Sequence, residues 1–140
     1  MTQIIKVTEP ILQIIERNNQ PTLIVQTAPV QINNLAKQKS LPFSYGDVIT
    51  QTIYQAQAGQ RITRVEIGFD VAFNVPSTLS IGDSGNIQRL MSAGQNNPLS
   101  TDIYATTPFY KYVANTNILL TLVAGIGCTQ GSGIVIVYYE

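Results

Sequence analysis
A chain of 140 residues holds one domain with a real core and is too short for two comfortable ones. Its formal net charge is zero, from eight basic and eight acidic residues, and only 11% of it is charged, against roughly 25% in an ordinary soluble domain. With no basic stripe it is a poor nucleic-acid binder, and so low a charge points to life in a symmetric assembly, where the solubility of a free monomer matters less.

A single cysteine, Cys128, leaves no intrachain disulfide. No run reaches the ~18 apolar residues of a membrane span. The first ten residues lack the basic-then-apolar order of a signal peptide. Synthesis and folding in a reducing cytoplasm are therefore expected, with no membrane partner.

In chain order, residues 8–18 carry the only helical pattern. Thr8 is placed to cap and Pro10 falls in the first turn, where its missing N–H costs nothing. Ile11, Ile14 and Ile15 line one face, loosely joined by Leu12. So short a helix must dock on something, either an end of the sheet or a neighbouring subunit. Residues 22–31 are β-formers, Leu23 and Val25 among them, interrupted by Pro29 as in an edge strand or extended arm. Composition makes 33–46 a loop. The predicted organisation is thus an N-terminal arm, 1–46, carrying a short helix, followed by a β-sandwich domain, 47–140.

Residues 48–57 read as a strand. A turn at Ala58-Gly59-Gln60 leads into 61–73, with antiparallel pairing of the two strands expected. Along 61–73, Val65, Ile67, Phe69, Val71 and Phe73 share one parity, and Arg64, Glu66, Gly68, Asp70 and Ala72 the other. Side chains alternate faces along a strand, so one face is wholly apolar and demands a covering sheet. A short strand follows over 78–81, closed by Gly82-Asp83-Ser84-Gly85-Asn86. Residues 87–92 suit a helical turn, 101–107 are irregular or weakly extended, and 109–113 form a short strand. Residues 118–124 are a strong strand. Four glycines within 125–133 surround Cys128 as a hairpin loop, and 134–139 close the chain. This last strand is apolar on both parities, so it lies between two layers or turns its outer face to another subunit. Seven or eight short strands joined by Gly, Asn and Pro turns argue for an all-β, antiparallel β-sandwich of jelly-roll type.

Chemistry is hard to place on these residues. There is no histidine, which removes Ser-His-Asp and Cys-His catalysis, histidine–metal sites and the usual proton shuttle. Cys128 has no base to activate it. Asp83 lies in a glycine turn without EF-hand spacing, where such a residue usually bonds its own backbone. Glu66 and Asp70 are four residues apart on one strand, about 13 Å, whereas glycosidase pairs sit about 5–10 Å apart. With Arg64 beside Glu66, a solvated outer face explains them. The tyrosines, crowded toward the C-terminal part, fit core and subunit-interface positions. No catalytic residue, metal or cofactor is expected.

From Arg61 onward the chain resembles a β-sandwich domain of tailed-bacteriophage virion proteins. The strand at 62–73, Thr-Leu-Ser-Ile-Gly-Asp at 78–83 and Arg-Leu-Met at 89–91 carry the likeness. Tyr-Lys-Tyr at 110–112, Ile-Leu-Leu-Thr-Leu at 118–122 and the glycine-rich segment leading to Tyr138 complete it. The resemblance implies a virion part without enzymatic activity. With only about sixty residues before the domain and no heptads, it favours a capsid cement or decoration protein over a fibre. Its partners would then be the major capsid protein and itself, as homodimer or homotrimer, on the capsid surface. The alternative is a tail-fibre or tail-needle tip touching a host glycan. Contact residues expected on this reading are Ile11, Ile14, Ile15, Leu23 and Val25 in the arm, and Val135, Val137 and Tyr139 in the last strand.

Overall fold
The alternation along 61–73 builds the central strand, interrupted where the pairing slips. The computed structural model describes residues 37–140; the helix predicted over 8–18 and the strand over 22–31 lie outside the described residues. In β3 (Arg61–Val71), Val65, Ile67 and Phe69 are buried as their parity requires. Register shifts between Ile62 and Arg64 and between Phe69 and Val71 reset the faces, as a bulge does. Ile62 is consequently buried against its parity, and Val71 is exposed.

The other strands are β1 (Lys37–Ser44), β2 (Thr50–Ala56), β4 (Thr78–Asp83), β5 (Asn86–Met91), β6 (Ile103–Thr106), β7 (Tyr110–Lys111), β8 (Thr116–Val123) and β9 (Ser132–Tyr139). One sheet has the order β1-β9-β3-β6, with β7 also on β3, and the other β2-β8-β4-β5. Every pairing is antiparallel. The chain passes from one sheet to the other at nearly every connection, which interleaves two Greek keys into a jelly roll. The predicted fold class is the observed one.

Four local expectations are corrected. The loop predicted over 33–46 contains β1, so the sandwich begins ahead of residue 47. It was hidden because β1 is an edge strand whose Lys37, Gln38, Lys39, Ser40 and Pro42 are all exposed, with only Leu41 and Phe43 reaching the core; lysine and proline belong on such edges. The helical turn predicted over 87–92 is β5, paired to β4. The strands on either side of Gly59 do not pair with each other: β2 joins β8 and β3 joins β9. Gly59, at φ 92, turns a corner between sheets, held by the Gln60 side chain, which accepts from Tyr54 Oη at 2.6 Å and from the Gln57 N–H at 2.8 Å. The glycine-rich segment before β9 is likewise no hairpin, since β8 and β9 lie in different sheets.

The core fills the space between the sheets. Ile62, Val65, Ile67, Val135 and Val137 of one sheet face Leu79, Ile81, Ile118, Leu120 and Leu122 of the other, all essentially without solvent contact. Phe43, Phe69 and Phe73 interlock at centroid distances of 5.7–6.4 Å. Tyr54 stacks on Tyr139 at 4.4 Å. Burying a side chain of this size is worth roughly 1.5–3 kcal/mol, so this layer is the main source of stability.

β9 approaches β3 so closely that a Cβ on Gly133 would stand 2.0 Å from the Gly68 carbonyl oxygen and 2.7 Å from the Phe43 ring. Gly46 has nothing within 4 Å of the same position. Gly133→Ala should lower Tm by roughly 10 °C or more, because backbone cannot yield to overpacking. Gly46→Ala should stay within about 3 °C of the parent. Thermal unfolding followed by circular dichroism measures both.

Candidate assembly surfaces
The residues expected to meet a partner fall in two places. Ile11, Ile14, Ile15, Leu23 and Val25 lie outside the described residues. Val135 and Val137 have no exposed surface and Tyr139 keeps 9%, so all three are core. They stand opposite Leu41, Lys39 and Lys37 on β1, respectively, and Ile67 and Val65 of β3 flank Val135 and Val137 on the other side. The parity that reaches solvent is Ile134, Ile136 and Tyr138, all half-buried. Both parities of β9 are apolar, so its own residues do not reveal which faces inward. The register with β3, whose faces differ, decides it.

The outer face of that sheet is mixed. Arg64 Nε donates to Glu66 Oε2 at 2.7 Å, which puts Glu66 in the solvated ion pair expected of it. In the next row Pro42, Ile134, Gly68 and Ile103 are in register across four strands, and Ile103 is 71% exposed.

Asp83 bonds its own turn, as anticipated, and does more. Its Oδ1 accepts from the N–H groups of Gly85 at 2.9 Å and Asn86 at 3.0 Å. Arg89 adds Nε to Oδ2 at 2.6 Å and Nη2 to Oδ1 at 3.1 Å. Tyr112 Oη donates to Oδ2 at 2.7 Å. Arg89 also lies over the Tyr110 ring, 4.9 Å from its centroid. Burial would raise the Asp83 pKa, but the bonds from Arg89, Tyr112 and the turn outweigh it and hold the carboxyl at about 2. Burial, and then Asp83, push the Tyr112 hydroxyl well above the usual tyrosine range. With all these donors the carboxylate is fully committed. It pins the β4–β5 turn to the segment after β7, and so joins the two sheets. Residues 83, 89 and 112 come together through tertiary structure alone, with no local spacing to announce them.

Other chemistry is sparse. Cys128 Sγ is half-exposed and donates to the Gln130 carbonyl oxygen at 3.2 Å. Among the described residues no three His, Cys, Asp or Glu side chains converge as metal ligands, and no helix is long and apolar enough to cross a membrane. A depression of about 460 Å³ is lined by Arg89, Leu90, Gln95, Ala105, Thr106, Thr107 and Pro108, and its one charged group is already paired with Asp83.

Many of the exposed apolar side chains lie at the two ends of the sandwich. The segments 45–49, 72–77, 92–102 and 124–131 gather at one end. They are tied there by Tyr45 N–H to the Gly131 carbonyl at 2.9 Å, Phe73 N–H to the Pro98 carbonyl at 2.8 Å, and Asn74 to Thr129. Val48, Ile49, Val71, Leu99, Val123 and Ile126 are exposed on or beside them. At the opposite end, Phe109, Tyr110 and Val113 are exposed. Phe109 is held at φ 48, a conformation unfavourable for a bulky side chain.

No family model matches the chain, and no curated protein matches it in sequence. Solved structures do match in fold. A chain of the cyanophage Pam1 capsid asymmetric unit superposes with a TM-score of 0.59 at 22% identity, covering 74% of this chain and 83% of that one. A chain from the acidic stable capsid structure of Helicobacter pylori bacteriophage KHP30 gives 0.58 at 10% identity, covering 75% and 86%. At such identities the likeness is one of fold.

The Asp83 cluster sets two expected outcomes. Asp83→Ala leaves the partly exposed Arg89 guanidinium and the buried Tyr112 hydroxyl without their acceptor and should destabilise by about 2 kcal/mol; Tyr112→Phe should cost about 1.5–3 kcal/mol. The folded-state pKa of Asp83 lies below its ordinary value of 3.8. Its stabilisation is therefore present above pH ~4 and lost as pH falls toward 2, by roughly 2 kcal/mol. Denaturant unfolding from pH 7 to pH 2 should show this loss in the parent and a smaller one in Asp83→Ala.

Proposed function
We propose that the protein is a capsid cement or decoration protein of a tailed bacteriophage. It would stabilise the shell by burying surface across capsomer boundaries. One observation carries the reading: the fold likeness extends over 83% and 86% of the two capsid chains. It is a likeness to whole small chains of a capsid, not to one domain of a large protein. The apolar ends of the sandwich supply surface of the kind that an assembly covers. The buried carboxylate of Asp83 is taken up by Arg89, Tyr112 and its own turn, and no nucleophile–base pair is assembled among the described residues, which favours a structural over a catalytic role. The partners on this reading are the major capsid protein and further copies of the same chain, and the location is the outside of the particle.

Pelleting with undecorated capsids tests it. The purified protein should co-sediment at a fixed ratio to the major capsid protein and raise the temperature at which the shells open. Removal of residues 1–20 should weaken that binding while the sandwich from Lys37 onward still unfolds cooperatively. Failure to bind capsids, together with adherence to host cells or to a glycan array, would overturn the reading in favour of a receptor-binding tip of a tail fibre or needle.

A further inference from the structure
The charges of the described residues sort by end. There are six cations, Lys37, Lys39, Arg61, Arg64, Arg89 and Lys111, and six anions, Asp47, Glu66, Asp70, Asp83, Asp102 and Glu140. Ion pairs join Arg61 to Glu140, Arg64 to Glu66 and Arg89 to Asp83. This leaves three lysines and three aspartates without an ionic partner among the described residues, all six exposed. Lys37 opens β1 opposite Tyr139, Lys39 is two residues on, and Lys111 pairs in register with Arg61 at the start of β3. Lys37 and Lys111 thus sit at the end that carries Phe109, Tyr110 and Val113, and Lys39 lies partway along the sheet on the same half, level with Val65. Asp47 lies in the β1–β2 connection, Asp70 at the far end of β3, and Asp102 just before β6, where its carbonyl accepts from the Phe69 N–H at 3.2 Å. All three sit at or beside the end that carries Val48, Ile49 and Ile126.

The ends cannot neutralise each other within one domain. The 11 residues of β3 put the ends roughly 35 Å apart, and Lys39, level with Val65, is still about 13 Å along the strand from the level of Asp102, beyond the screening length of about 8 Å at physiological salt. Two like ends brought together would set aspartates on aspartates or lysines on lysines. Only unlike ends match in charge, and both present exposed apolar side chains to bury. We infer that the protein associates with a second copy of itself end to end, the aspartate-bearing apolar end of one sandwich seating on the lysine-bearing apolar end of the next. End-on contact of unlike ends is heterologous. It closes only as a ring of three or more copies and otherwise runs on as an open chain; a two-fold pair through either end is disfavoured by like charge. Exposed ion pairs are individually weak, so the charges set the direction and the apolar groups supply the affinity. This inference is independent of the capsid reading, since it concerns the purified chain alone.

The test is sedimentation equilibrium of the full chain across protein and salt concentration. The parent should self-associate, and more weakly as salt rises. The triple variants Asp47→Lys/Asp70→Lys/Asp102→Lys and Lys37→Glu/Lys39→Glu/Lys111→Glu should each weaken association by about tenfold or more. The chain carrying all six reversals should regain the parent's association, because its ends again match. All six side chains are exposed, and thermal unfolding checks that each variant folds. Where a reversal fails to fold, the neutral set Asp47→Asn/Asp70→Asn/Asp102→Asn replaces it, with a smaller loss expected. A parent that stays monomeric at low salt, or single-end variants that associate as the parent does, would overturn the inference.

Discussion
The domain depends on the insertion of β9 between β1 and β3. Its eight residues pair along their whole length with β1, from Tyr139 at Lys37 to Ser132 at Ser44, and on the other side with β3 from Ile62 to Val71. Without it β1 has no neighbour in its sheet and β3 loses its longest ladder. The contact is highly non-local, since the first described strand waits for the last, and loop-closure entropy must be overcome before any of these bonds forms. Gly133 makes the insertion possible. Opposite Phe69 in register, it lets the backbone of β9 approach the Gly68 carbonyl oxygen where the ring of Phe43 also lies close.

Two different devices then close the sandwich toward its two ends. Toward the end bearing the aspartates, Phe43, Phe69 and Phe73 form a dry, edge-packed cluster whose strength scales with the area removed from water. Toward the other end the fastening is polar. The Asp83 carboxylate tolerates burial because Arg89, Tyr112 and its own turn all donate to it. The first device is insensitive to pH. The Asp83 carboxyl of the second titrates well below the neutral range, and with no histidine in the chain no side chain has an ordinary pKa between pH 5 and 8 to disturb either one.

These features differ in how legible they are from residues alone. The all-β class, the sandwich and the place of β3, β8 and β9 follow from alternation and turn chemistry, which are local. β1 was hidden because an edge strand can be built from Lys, Gln, Ser and Pro without an apolar face. β5 was hidden because Ile-Gln-Arg-Leu-Met carries a helical spacing, and the sheet overrides that propensity. Sheet membership was misjudged at Gly59 and in the segment before β9 for a common reason: a short glycine turn serves equally as a hairpin or as a corner between layers, and only the distant partner strand distinguishes them. The same distance effect misplaced Val135, Val137 and Tyr139. A strand apolar on both faces has no inside until β3 assigns one.

The charge pattern belongs to the same class of non-local fact. The lysines at 37, 39 and 111 and the aspartates at 47, 70 and 102 are interspersed in sequence and separate only when antiparallel strands return the chain to the same end again and again. In a chain with 11% charged residues, six that find no ionic partner within the described domain are a large fraction of the whole. Mixed over the surface they would serve solubility; segregated to ends that also expose Val48, Ile126, Phe109 and Val113, they do the opposite. Apolar groups beside an excess of one sign of charge repel their own kind and accept the other, so the surface favours one orientation between copies as well as an attraction.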